Sequence, residues 1–155
     1  MKKNIKTLIL SVGIPLAGGA LVGWLTSSRG NYNEMVKPPL SPPAWVFPAA
    51  WALLYILMGY ALYRVLVSAA PKEQKNSALT VFAFQLALNY LWPVIFFIID
   101  AYWGAVVCLV ALIFLIGMTM RDFAKSDALA PKLLLPYLLW CLFALYLNVG
   151  VAVLN

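Results

Sequence analysis

Histidine is absent from these 155 residues, and acidic side chains number only five. Without histidine the chain loses the commonest metal ligand and the side chain whose unperturbed pKa best suits general-base work near neutral pH. Of the five carboxylates, Glu34, Glu73 and Asp100 lie far apart in the chain from one another and from Asp122 and Asp127. The five offer no paired-carboxylate constellation for a hydrolase, and no Cys/His constellation with zinc spacing exists, so no metal site is expected. The two cysteines, Cys108 and Cys141, each fall inside a long apolar run and read best as small buried residues.

Charge of either sign is scarce. Charged types are 10% of the chain and hydrophobic types 65%, against roughly 25% and 45–50% in an ordinary soluble domain. Such an excess fits a chain whose solvent is mostly lipid. The length suits a single domain spanning 1–155. The net charge is +6, but the basic residues sit in short segments between apolar runs, as membrane topology signals do. A nucleic-acid partner is therefore not expected.

A membrane-spanning helix needs about 20 mainly apolar residues. Five runs qualify, at about 5–26, 44–67, 79–99, 102–120 and 133–154. They are continuous rather than alternating, which argues against β-spans. The expected fold is all-α: an integral membrane bundle of five transmembrane helices. The first run follows Lys2, Lys3 and Lys6 but is longer than the apolar core of a signal peptide, so it reads as a retained helix. With five spans, Lys2, Lys3, Lys6, Arg64, Lys72, Lys75, Arg121, Lys125 and Lys132 share one side, and Arg29 and Lys37 alone occupy the other. That asymmetry among the eleven basic residues places the N-terminus in the cytoplasm of a multi-pass cell-membrane protein.

The longest connection, SSRGNYNEMVKPPLSPP, ends in a proline-rich stretch. It reads as ordered and folded over the helix ends, with Ser41 capping the second helix and Pro42 at its first position. The tight Asp100-Ala101-Tyr102 connection makes the third and fourth helices neighbours. No internal repeat appears, which counts against inverted-repeat transporter folds.

Polar residues inside spans are the informative ones. Gln85 and Asn89 share a face of the third helix, continued by Trp92 and by Pro93, which cannot donate to the Asn89 carbonyl. Interhelical hydrogen bonding is the competing reading for both, and the stronger one for Gln85. Trp24, Trp45 and Trp103 suit an interfacial belt. Trp51 and Trp140 lie deeper, where an indole N–H must find a partner; packing competes with a ligand pocket. By depth, Trp51, Asn89, Trp92, Cys108, Trp140, Ala144, Leu147 and Asn148 can face one cavity beneath a loop that carries Tyr32, Pro38, Pro39 and Pro42. Aromatic walls with a few polar groups are the usual form of a small-molecule site.

Three blocks then carry a resemblance. Lys37-Pro38-Pro39-x-Ser41-Pro42-Pro43-x-Trp45-x-Phe47-Pro48-x-x-Trp51, continuing as Leu54-Tyr55-x-x-Met58-Gly59-x-Ala61, resembles the signature of the TspO/MBR family. Gln85-Leu86-x-Leu88-Asn89-x-x-Trp92-x-x-x-Phe96-Phe97 is similar to that family's third helix, and Pro136-Tyr137-x-x-Trp140-x-x-Phe143-Ala144-x-x-Leu147-Asn148 to its fifth. The resemblance implies a five-helix bundle that binds tetrapyrroles such as protoporphyrin IX, sterols and benzodiazepine-type ligands in a pocket capped by the first loop. In some members it implies light-dependent porphyrin degradation.

Carried onto matching positions, the pocket uses Trp51, Asn89, Trp140, Ala144 and Leu147, with Tyr32 from the loop. Trp51 and Trp140 are the candidate photochemical, catalytic pair. No cofactor is required, the porphyrin being ligand or substrate. The resemblance also implies a homodimer in membrane lipid, for which Ala83-x-x-x-Ala87 is a better candidate than Gly19-x-x-x-Gly23; packing within one monomer competes for each. One departure concerns sterols: Tyr146 is followed by LNVGVAVLN with no basic residue, so the sterol pattern of animal members is missing. A transporter of porphyrins, lipids or sterols and a membrane scaffold are the alternative functions. The spans lack ionisable groups that could couple transport to ions.

The charge asymmetry makes a direct prediction. Single cysteines placed at Lys37 and Lys75 should differ in labelling of intact cells by an impermeant maleimide, with only the Lys37 position reacting. Reaction at the Lys75 position alone would invert the topology.

Overall fold

The computed structural model describes residues 2–28 and 32–155, and its regular elements are all helical. Arg29 therefore lies outside the described residues. Helix α1 spans Lys2–Ser27, and a 3-10 turn follows at Tyr32–Glu34. α2 spans Val46–Leu66, α3 Lys72–Pro93 and α4 Tyr102–Ala124. A short α5 (Ala130–Leu133) leads into α6 (Leu135–Leu154), and together they make the fifth span. Among the described residues five helical stretches are long and apolar enough to cross a membrane, and the chain is a multi-pass membrane protein.

Several boundaries differ from the sequence reading, by up to seven residues, and two have a clear physical cause. α3 begins at Lys72 rather than near residue 79. Its first two turns, Lys72-Glu73-Gln74-Lys75-Asn76-Ser77, are polar and lie outside the apolar run, so hydropathy misses them while helix propensity does not oppose them. α2 begins at Val46, with neither a Ser41 cap nor Pro42 at its first position. Ser41 Oγ instead donates to the carbonyl of Pro38 at 2.7 Å. Three prolines between Pro39 and Pro43 lack the N–H groups a helix would need, so the chain stays irregular until residue 46.

The bundle is apolar outside as well as inside. Ile9, Ile14, Leu21, Leu53, Val107, Phe114, Leu139 and Val153 are exposed, as suits side chains whose surroundings are lipid tails. Inside, Met58, Ala61, Val65, Leu109, Ile116, Phe123 and Cys141 are fully enclosed. Cys108 and Cys141 are both buried and free.

With no hydrophobic drive between helices in lipid, close backbone approach carries the packing. α1 runs along α2, and α3 along α4. Pro15 lacks the N–H that Ser11's carbonyl would accept in a regular helix. That carbonyl lies against Gly59 of α2, where any Cβ would collide with it. Gly19 lies under the Tyr55 ring in the same seam, whereas Gly23 has open space before it, so of the Gly19-x-x-x-Gly23 spacing only Gly19 packs within the monomer. Ala83 and Ala87 of α3 instead face outward, beside Phe84 and Leu91.

Pro93 ends α3, which widens into a π-helical turn, Val94–Ile98. The Ile99 N–H donates to Val94 O and Ala101 N–H to Ile95 O, both at 3.1 Å. This wider winding adjusts the backbone where proline breaks the regular ladder. At the opposite end Arg64 makes a bidentate pair with Asp127 (2.9 and 3.1 Å). Asp127 Oδ1 also accepts the N–H groups of Leu129 and Ala130, capping α5. The Arg64 guanidinium holds the Asp127 carboxyl below the usual carboxylate range. Its contribution to stability is thus in place above the ordinary carboxylate range and is lost as pH falls through the lowered value.

Candidate functional site

Gln85 and Asn89, one turn apart on α3, point into the bundle and are buried. Asn89 Oδ1 accepts from Tyr55 Oη of α2 at 2.6 Å, and Asn89 Nδ2 donates to Tyr137 Oη of α6 at 2.7 Å. Tyr137 Oη then donates to Gln85 Oε1 at 2.8 Å. Three spans are tied by one network. A second tie lies further along: Trp92 Nε1 donates to Asn148 Oδ1 at 3.0 Å, and Asn148 Nδ2 donates to the Tyr102 carbonyl at 3.1 Å.

An aromatic layer rests on this floor, towards the first loop. Trp51 packs edge-on against Trp140 (ring centroids 6.3 Å apart), stacks on Tyr55 (5.8 Å) and meets Tyr137 at its edge (6.2 Å). Phe47 covers Trp140 at 6.0 Å and meets Tyr32 of the loop at 5.0 Å. Trp140 Nε1 is buried with no hydrogen-bond partner. Buried indole N–H groups ordinarily find one, and leaving one unmade costs about 1–3 kcal/mol.

The loop closes over this layer as an ordered lid. Tyr32 Oη donates to the Pro42 carbonyl at 2.7 Å, and Lys37 Nζ donates to the Tyr32 carbonyl at 3.0 Å while lying 4.4 Å from its ring centre. Burial pushes the Tyr32 phenol up from its ordinary value, so it stays protonated at neutral pH. Leu40, exposed at the tip of the lid, has φ of 70°, a left-handed conformation unfavourable for a side chain of this kind. The far side is fastened to α6: Tyr146 Oη donates to Pro39 O at 2.7 Å, and the Asn155 side chain takes both backbone groups of Val36, at 2.8 and 3.2 Å. The Pro38 ring lies on Gly150, where a Cβ would strike it.

Between lid and helices is a narrow apolar cavity. Tyr32, Ser41 and Phe47 line it from the lid side, Trp92, Phe96 and Phe97 from the end of the third span, and Ala144, Leu147, Asn148 and Val151 from α6. It leaves about 20 Å³ for the centre of a water-sized sphere, whereas drug-sized ligands occupy pockets of ~300–1,000 Å³. The site is closed, and admission of a ligand requires the lid or its aromatic partners to move. A larger groove of about 170 Å³ lies at the opposite membrane face, among Glu73, Gln74, Ser77, Asp122 and Lys125. Its buried Asp122 already faces Ser77 Oγ (3.1 Å), Lys125 (3.5 Å) and Arg121 (3.6 Å).

Of the residues selected from sequence, Tyr32, Trp92, Ala144, Leu147 and Asn148 line the cavity together. Trp51 and Trp140 form the aromatic layer beside it. Asn89 lies beneath them, its oxygen and its nitrogen each bonded to a tyrosine hydroxyl. Pro42 offers only its carbonyl, to Tyr32. Cys108 faces α3, its thiol 3.7 Å from the Leu88 carbonyl. Phe47, Phe96 and Phe97 were missed as lining residues although they stand in the quoted motifs; the Phe96-Phe97 pair directly after a span-breaking proline was the available signal.

The profile of the TspO/MBR family matches residues 11–154. The chain is 40% identical to the tryptophan-rich protein TspO of Chlorobaculum tepidum, covering all of this chain and 99% of that protein. It is 36% identical to the tryptophan-rich sensory protein of Cereibacter sphaeroides (96% and 89% covered). It is 33% identical to the translocator protein of Bos taurus (87% and 82% covered).

The lid fastening is testable. Tyr146→Phe combined with Asn155→Ala removes about 1 kcal/mol per hydrogen bond, so amide exchange over residues 36–41 should accelerate about tenfold or more while α2 and α4 exchange unchanged. Unaltered exchange in the lid would show that these bonds do not hold it.

Proposed function

The chain belongs to the TspO/MBR family, and from that premise we propose that it is a membrane receptor for flat, hydrophobic tetrapyrroles of the protoporphyrin IX type, which it also degrades in the light. The observation that carries this reading is the unpaired, buried Nε1 of Trp140 inside a layer of aromatic rings under a fastened lid. A flat macrocycle supplies π-faces to Phe47, Trp51 and Trp140, and its carbonyl or carboxylate edge supplies the acceptor that Trp140 lacks. Benzodiazepine-type ligands, aromatic and carbonyl-bearing, satisfy the same demands. No charged side chain is needed to hold such a ligand, in keeping with a cavity whose lining is almost wholly apolar.

Light-driven loss of the ligand requires an oxidisable neighbour. Indole is the most readily oxidised of the chain's common aromatic side chains, and Trp51 and Trp140 are in edge contact at the site. The chain resides in the cell membrane with its lid outside, on the side assigned by the basic-residue asymmetry.

The chain works as a homodimer through the outward face of α3. Ala83 and Ala87 are exposed there one turn apart, a small-x-x-x-small spacing that permits close approach of a second copy. Ala83→Leu with Ala87→Leu should shift the protein from dimer to monomer in detergent sedimentation; a retained dimer would place the interface elsewhere.

The functional reading is tested by Trp51→Phe and Trp140→Phe. A flat ring remains in each, so dark affinity for protoporphyrin IX should fall by less than about tenfold, or 1.4 kcal/mol. Light-driven loss of porphyrin at matched occupancy should fall much further. Equal decay rates in parent and variants would make the protein a binder without chemistry, and absence of saturable binding would remove the receptor reading altogether.

A further inference from the structure

The tryptophan pair does not stand alone. From Trp51 the aromatic contacts continue to Tyr55 and Tyr137, and from Tyr55 to Tyr90 at 6.0 Å between ring centres. Tyrosine is the next most oxidisable side chain, so an oxidising equivalent left on Trp51 has phenols at van der Waals distance to which it could pass. Whether it does depends on protons. A phenol gives up an electron at accessible potentials only if its proton leaves to a base at the same time.

The acceptors of these three hydroxyl protons are all amide oxygens: Asn89 Oδ1 for Tyr55 (2.6 Å), Gln85 Oε1 for Tyr137 (2.8 Å) and the Pro15 carbonyl for Tyr90 (2.8 Å). An amide oxygen accepts a hydrogen bond but is no base at neutral pH. The chain has no histidine. None of its five carboxylates bonds these hydroxyls; they lie in connections or at helix ends. On the indole side, Trp140 Nε1 is buried with no acceptor from the protein, so its proton can go only to an acceptor on the ligand.

We propose that Gln85 and Asn89 are positioning residues that keep Tyr137 and Tyr55 as phenols and thereby confine photo-oxidation to Trp51 and Trp140. The inference rests on the photochemistry proposed above. In the step, one electron passes from an indole to the photoexcited porphyrin and on to dioxygen, giving superoxide. The indole is oxidised to its radical cation, whose N–H proton stays on nitrogen or passes to the ligand carboxylate bonded to it, and no bond to carbon breaks at this stage. The hole is shared within the Trp51–Trp140 pair, because transfer to either tyrosine would demand a proton acceptor that an amide cannot be. The oxidised indole therefore stays against the ligand instead of dissipating through the bundle.

The experiment is low-temperature electron paramagnetic resonance of illuminated protein in nanodiscs, loaded with protoporphyrin IX in one arm. In the other arm the protein is ligand-free and oxidised by a soluble ruthenium sensitiser with persulfate as electron acceptor. The parent loaded with porphyrin should give an indole radical and no phenoxyl signal, and Tyr55→Phe and Tyr137→Phe should leave that signal unchanged. Gln85→Glu, which offers Tyr137 a carboxylate, should give a phenoxyl signal that disappears in Gln85→Glu/Tyr137→Phe.

A parent phenoxyl signal lost in Tyr55→Phe or Tyr137→Phe would overturn the proposal, as would no phenoxyl signal in Gln85→Glu at neutral or alkaline pH. In the ruthenium arm, exposed tyrosines cancel in the difference between parent and the Tyr55→Phe/Tyr137→Phe double variant, which should contain no phenoxyl component. A silent porphyrin arm beside that result would reject the photochemical reading while leaving the confinement in place; a phenoxyl component in the difference would reject the confinement itself.

Discussion

Hydrocarbon offers a buried amide nothing to bond, so Asn89 must be satisfied by the protein or not at all. Its two polar ends meet the hydroxyls of Tyr55 from α2 and Tyr137 from α6. That single residue therefore sets the spacing of α2, α3 and α6 at one depth. Gln85 completes the pattern by accepting the hydrogen bond that Tyr137 Oη donates. The oxygens of both amides and both tyrosine hydroxyls are bonded within this layer, and a buried network of this kind is rigid. The ring of Tyr55 also covers Gly19 of α1, so the first span is registered by the same layer.

A fixed floor has consequences above it. Trp51 rests on Tyr55 and Tyr137, and Trp140 stands one helical turn from Tyr137 on α6, so both indoles inherit their positions from the network. The lid has no such layer. It is held by backbone carbonyls and by residues at the far end of α6, and it contains a non-glycine residue in the left-handed region. A rigid base with oriented aromatics and a cover fastened by a few exposed hydrogen bonds is an arrangement in which the cover yields first. The small cavity volume describes the closed state of that cover.

Much of this was legible in the chain. Five apolar runs dictated five spans because helix length in a bilayer is set by hydrocarbon thickness. The depth of Trp51 and Trp140, greater than an interfacial belt requires, set them on helices that could face one cavity. The i, i+4 spacing of Gln85 and Asn89 put them on one face, with interhelical bonding and a pocket both open. Their partners were not legible: Tyr55 and Tyr137 become ligands of Asn89 only once three helices are rotated against one another, and hydropathy does not encode rotation. The polar start of α3 escaped for the opposite reason, since it is helical without being apolar. Ser41 met every local rule for a helix cap, yet the prolines around it deny the backbone its N–H groups, and its hydroxyl turns back to Pro38.

The scarcity of titratable groups acquires a physical sense at this point. A histidine or carboxylate among Tyr55, Asn89, Trp51 and Trp140 would be costly to bury in a membrane bundle when charged. It would also give every nearby phenol and indole a place to send a proton. Amides carry the hydrogen-bonding duty of the floor without either effect: they are neutral at all accessible pH, and they donate and accept without exchanging protons. The residue types that make the bundle stable in lipid are thus the same ones that make its interior inert to proton transfer. An electron removed from the aromatic layer leaves a vacancy that cannot pass to Tyr55 or Tyr137, because neither phenol has a base to take its proton, and the vacancy stays on the indoles.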